Sequence, residues 1–147
     1  MLKDVLICLG ITCAFMIVSS TLALDKASPQ GIENRRWRIA KYRGAGSQKS
    51  DEQGLIDAAK TAEITFAMGR IHGSPTCGTL VGTYRLSGVQ LTIQADFILN
   101  GFCPPEELAQ NQLILTAFKG DLRIEKKDDH ILLRDTSGKA RVLLVPY

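Results

Sequence analysis

Short apolar runs of period two, broken by turn residues, recur through most of this chain and restrict it to an antiparallel sheet. Val89, Leu91, Ile93 and Ala95 alternate with Gln90, Thr92 and Gln94, directly after the Ser87-Gly88 turn that follows Tyr84 and Leu86. Side chains alternate across a strand, so such a run buries one face only. Ala62, Ile64 and Phe66 alternate with Glu63 and Thr65, and Met68-Gly69 turns the chain back through Arg70-Ile71-His72 as a hairpin. From Asp121 onward Leu122 and Ile124, then Ile131-Leu132-Leu133, then Ala140, Val142 and Leu144 are separated by turns at Lys127-Asp128-Asp129-His130 and Thr136-Ser137-Gly138. Strands joined this tightly form an antiparallel meander.

One segment breaks the pattern. Pro104-Pro105-Glu106-Glu107 supplies helix-starting prolines and first-turn acids, and Lys119-Gly120 supplies a basic last turn and a terminating glycine. Leu108, Ala109, Leu113, Ile114, Leu115, Ala117 and Phe118 give the helix between them a broad apolar face. The whole predicts an α+β domain: a strongly curved antiparallel sheet or half-barrel of seven to eight short strands, with one main helix over its opening.

The N-terminal part is less regular. Arg35–Arg43 carries Trp37, Ile39 and Tyr42, but its alternation is broken and both faces bear charge, which predicts an edge strand. Gly44 to Lys60 has no sustained apolar period and is expected to be a long mobile loop. Residues 24–36 are expected to be a flexible tail, leaving the domain at 37–147.

Val5 to Leu24 carries no charge and follows Lys3, and small residues stand at Thr21 and Ala23. This reads as a signal peptide over 1–23, cleaved after Ala23, that delivers the protein to the periplasm or outside the cell. An N-terminal membrane anchor is the alternative, because about 20 apolar residues can cross a bilayer. Ile7 before Cys8 and Thr12 before Cys13 do not suit a lipoprotein signal. After export two cysteines remain, Cys77 and Cys103, an even pair that predicts a disulfide in an oxidising compartment. The competing reading, a Cys77 nucleophile with His72 as its base, needs a free thiol where thiols are normally oxidised.

Other chemistry finds little support. With 18 Lys and Arg against 15 Asp and Glu, the net charge of +3 is too small for a dedicated nucleic-acid binder. Two His and two paired Cys do not make a zinc site, and no Gly-x-Ser-x-Gly supports Ser-His-Asp catalysis. The acid pairs Asp51-Glu52, Glu106-Glu107 and Asp128-Asp129 sit where a loop, a helix start and a turn explain them. Gly44-Ala45-Gly46 lacks the Gly-Lys-Ser that a phosphate loop needs. No enzyme activity, cofactor or metal is expected.

The order Trp37, Ile64-Thr65-Phe66, Gly69-Arg70-Ile71, Gly73, Cys77, Gly82-x-Tyr84, Leu91-Thr92-Ile93, Cys103 and Glu107, followed by a leucine-rich helix, resembles the META domain (HslJ-like) family from Trp37 to the end. Thr76 and Gly78 depart from the glycine and asparagine that flank the first Cys in the family pattern. The resemblance implies a small curved half-barrel similar to the lipid-binding pilot proteins of type III secretion. It also implies an envelope protein associated with heat or antibiotic stress and no established enzymatic activity. The family-motif residues Trp37, Gly73, Cys77, Gly82, Tyr84 and Cys103 then have structural roles. Gly73 and Gly82 allow bends at strand ends, Cys77–Cys103 ties the helix-entry loop to the sheet, and Tyr84 lies in the core with its hydroxyl at the rim. Two functions stay open. One is a monomeric, stress-related interaction module that engages another envelope protein; the other is a carrier of a lipid or small hydrophobic ligand.

Overall fold

The computed structural model describes residues 31–147; the expected leader and most of the expected tail lie outside them. The apolar runs become strands β1 (Arg35–Arg43), β2 (Leu55–Asp57), β3 (Glu63–Ala67), β4 (Arg70–Ser74), β5 (Thr79–Ser87) and β6 (Gln90–Ile98), then helix α1 (Pro105–Phe118), then β7 (Gly120–Lys127), β8 (His130–Asp135) and β9 (Ala140–Pro146). Every strand pairing is antiparallel, in the order β1-β3-β4-β5-β6-β7-β8-β9, and β9 returns to β1. Eight strands therefore close a barrel. β2 is a short extra strand along Lys41–Arg43, on the side of β1 whose other end, Arg35–Arg38, pairs with β3. The expected curved sheet with one helix is present, and its curvature continues to closure.

The tightness of that curvature depends on two inward-facing glycines. A Cβ on Gly82 would stand 2.2 Å from the Gln94 carbonyl oxygen of β6, and one on Gly73 would stand 2.4 Å from the Glu63 oxygen of β3. Gly73 stands one residue from the end of β4, whereas Gly82 lies in the middle of β5 rather than at its end. Both lie within ladders, opposite Ala95 and Ile64, where the neighbouring backbone occupies the space of a side chain. The β3–β4 reversal is two residues long, with Met68 at φ 49° and Gly69 at φ 74°; this left-handed pair follows the twist of the flanking strands.

Helix α1 packs against β1, β9 and β6. β1 and β6 are diametrically opposed in the ring, so a helix touching both lies across the barrel mouth. Ile114, Leu115, Ala117 and Phe118 point into the core, while Leu108 and Leu113 are half-buried and Ala109 is exposed. Trp37, Tyr42, Phe66 and Phe118 are the bulkiest fully buried side chains, and aliphatic residues fill the remaining interior. Each fully buried Leu, Ile or Phe contributes about 1.5–3 kcal/mol through area removed from water.

Three expectations for the N-terminal part are corrected. β1 is not an edge strand; it closes the barrel between β3 and β9. Its broken alternation is a register shift between Ile39 and Lys41, which lets Trp37, Ile39 and Tyr42 all face inward. The basic residues lie mostly on the other face. The Gly44–Lys60 stretch is not simply a long loop. It contains a 3-10 turn at Glu52–Gly54, capped by the Asp51 carboxylate accepting from the Gln53 N–H, and then β2. Leu55 packs with Leu132, Ala140 and Leu143 in a second, smaller cluster. Arg43 fastens the segment by donating to the carbonyls of Ala140, Lys49 and Ser50. Finally, the expected tail is part of the fold in its described portion. Ile32 is fully buried, its carbonyl accepts from Trp37 Nε1 at 2.9 Å, and Glu33 bridges to Phe66.

Candidate functional site

The chemistry-bearing residues converge at the mouth spanned by α1. Cys77, in the β4–β5 connection, is bonded to Cys103 just before the helix, with Cα atoms 6.0 Å apart. Beneath this staple lies Asn111, the one buried polar side chain among the described residues. Its Nδ2 donates to the Cys77 carbonyl at 2.6 Å and toward Cys77 Sγ at 3.2 Å, and its Oδ1 accepts from the Thr76 N–H at 3.1 Å and from the Thr76 hydroxyl. Thr76 Oγ1 also lies 3.1 Å from the Glu107 carbonyl. The amide pairs backbone groups of a half-buried loop that would otherwise lack a protein partner. Nothing in the apolar periodicity of α1 marked Asn111. A lone polar residue between apolar neighbours on the inner helix face was the available signal.

The staple holds an unusual surface. At the end of β6 and on the connection to α1, Ile98, Leu99 and Phe102 are 53%, 47% and 90% exposed. Asp96, Glu106 and Glu107 flank them in sequence, and no Lys or Arg occurs from Leu86 to Phe118, although the whole chain is basic. Gly78 holds the opposing loop close. Its φ is +71°, and a Cβ there would stand 2.4 Å from the Ile98 carbonyl oxygen. Glycine and asparagine are the residues that most readily adopt a left-handed conformation, so this departure from the family pattern keeps the backbone requirement.

The remaining motif residues take structural places. Trp37 is buried and bonded to Ile32. Tyr84 is 7% exposed, meets Phe66 edge-to-face with centroids 5.4 Å apart, and donates its hydroxyl to Glu33 at 2.5 Å. Burial, then the bond to Glu33, pushes its pKa up to about 12. Trp37, Gly73, Gly82 and Tyr84 are thus part of the barrel wall and core, and Cys77 and Cys103 alone of the six stand at the mouth. His72 is exposed on β4 and Cys77 is in a disulfide, so the proposed thiol and base do not form a working pair.

A groove of about 670 Å³ lies elsewhere, along β7 and the β8–β9 turn. Three of its charged groups, Glu125, Arg134 and Asp135, are engaged with one another or with the β8–β9 turn. Arg134 Nε donates to Glu125 at 2.6 Å and holds that carboxyl below the usual range, and Asp135 accepts from Ser137 and Lys139. No helix among the described residues is long and apolar enough to cross a membrane.

No curated protein sequence matches this chain. An NMR structure of a protein from Burkholderia xenovorans is similar at 12% identity and a TM-score of 0.58, covering 84% of this chain and 88% of that one. A second NMR structure is 18% identical with a TM-score of 0.53, covering 80% of this chain and 92% of that one. These likenesses show the fold alone. The META domain model matches residues 30–146, which takes in the closed barrel, the mouth helix and both stapled cysteines, and the chain therefore belongs to the META domain family.

Proposed function

We propose that this protein is a non-catalytic, exported interaction module of the cell envelope, which docks a partner protein on the stapled mouth. The observation that carries this reading is the exposure of Ile98, Leu99 and Phe102 beside Cys103, whose bond to Cys77 ties this segment to the loop that Asn111 clamps. Exposed apolar groups clustered on a rigid loop mark a contact surface, because solvating them gains nothing unless a partner covers them. The acids beside them favour a partner face that combines apolar and basic groups. Export is supported by the uncharged leader sequence and by the disulfide. A stress-related role rests on family membership. Carriage of a lipid gains no support from the barrel interior, which large side chains fill.

A photo-activated cross-linking side chain placed at Phe102 in cells tests the reading. It should give one dominant protein adduct, which Leu99→Asp suppresses, whereas the same group at Met68, on the opposite end of the barrel, should give none. Equal labelling from both positions, or co-purified lipid with no protein adduct, would refute the docking role.

A further inference from the structure

We propose that reduction of the Cys77–Cys103 bond converts the mouth into a metal site, in which both sulfurs and the Glu107 carboxylate bind one divalent cation of the zinc class. Disulfide and metal would then be mutually exclusive occupants of one position. One atom from each residue, two Sγ and a carboxylate oxygen, already lie within 4.8 Å of one another. Tetrahedral zinc, with Zn–S near 2.3 Å and Zn–O near 2.1 Å, holds its ligands roughly 3.5–4 Å apart, so closing the site needs only small side-chain movements. Glu107 has no other bonded partner among the described side-chain contacts, which leaves its carboxylate free to turn toward the sulfurs.

What separates this arrangement from two ordinary thiols is a clamp that does not depend on the sulfur bond. Asn111 binds the Thr76 N–H, the Thr76 hydroxyl and the Cys77 carbonyl, and the Thr76 hydroxyl lies against the Glu107 carbonyl. Cys77 therefore stays seated on the first turns of α1 when the disulfide opens. Cys103 stays beside it because Pro104 and Pro105 restrict the backbone into the helix. Both cysteines are only half-buried, so a water completes the fourth position. The exchange balances. A dithiol reductant delivers two electrons and two protons to the S–S bond and is itself oxidised to a disulfide; the cation then displaces both thiol protons to solvent.

The test uses the full chain, reduced with a phosphine, freed of it without oxygen and titrated with Co²⁺. Reduced protein should bind one equivalent, with thiolate-to-cobalt charge-transfer bands and the visible absorption of tetrahedral cobalt, and Zn²⁺ should displace it. Oxidised protein should bind none. Glu107→Gln should weaken Zn²⁺ binding by at least about tenfold without changing the fold, and Cys103→Ser should abolish it. Half an equivalent per chain, unaltered affinity in Glu107→Gln, or equal binding before and after reduction would each overturn the proposal. Loss of native amide dispersion in the NMR spectrum on reduction would also overturn it, because the Asn111 clamp would then not hold.

Discussion

The Tyr84 hydroxyl, carried on β5, donates to the carboxylate of Glu33, which stands before the first strand, at 2.5 Å. This bond joins the barrel wall to the segment that leads into β1, and burial of the Tyr84 phenol, with the bond second, links stability to pH. The pKa of Tyr84 is raised to about 12 from its ordinary 10.0, so the folded state keeps this proton at a pH where the unfolded chain has lost it. The contribution is complete below pH 10 and disappears as pH rises to about 12; it is on the order of 2 kcal/mol. Tyr42, also raised by burial, acts in the same direction. Thermal melts between pH 9 and 12, as approximate bounds of the titration, should show a steep alkaline loss of Tm in the wild type. Tyr84→Phe should show a shallower one, with about 1 kcal/mol less stability at neutral pH.

Asn111→Ala removes the partner of the Thr76 N–H and of the Cys77 carbonyl at once, in a half-buried loop. Denaturant unfolding should register a loss of about 2–3 kcal/mol. Asn111→Asp should lose at least as much, because an acceptor-only group then faces the Cys77 carbonyl.

The Cys77–Cys103 bond closes a sequence separation of 26, for which the chain-entropy relation gives about 3.5 kcal/mol. Cys77→Ser and Cys103→Ser should each lower stability by a similar amount, and the double variant should lose no more than either alone. Additive losses in denaturant unfolding would show that the two sulfurs act separately.

Gly82→Ala should cost more than about 3 kcal/mol, within the range of large overpacking effects, because its Cβ would meet the Gln94 oxygen at 2.2 Å and backbone must move. Gly44→Ala is the control. Its Cβ would meet the half-exposed Ile56 side chain, nearest at Cδ1 3.1 Å away, and the effect should stay within about 1 kcal/mol. Soluble yield and chemical denaturation of the two variants provide the comparison.

Strand alternation in Ile64-Thr65-Phe66 and Leu91-Thr92-Ile93, turn chemistry at Met68-Gly69 and the Pro-Glu helix start are local signals, and each appears in the structure where the residues place it. The misread segments are those whose partners are distant. β1 resembled an edge because a bulge between Ile39 and Lys41 disguises its inner face, and a bulge is defined by the register with β9. The Gly44–Lys60 stretch read as a loop because it has no sustained apolar period, whereas its Leu55 packs with Leu132, Ala140 and Leu143 from distant strands. The consecutive apolar residues Ile131-Leu132-Leu133 already recorded that both faces of β8 are covered.

The amino-acid order alone determined most of the strands, the helix, the cysteine pair and the family resemblance, because alternation, capping residues and motif spacing act over a few neighbouring positions. Closure of the barrel, the burial of Ile32, the clamp by Asn111 and the approach of Glu107 to the sulfurs were decided only in three dimensions. Each brings together groups from different elements of the chain, and no local preference specifies which of the many possible distant partners will pack well enough to offset the entropy of ordering them.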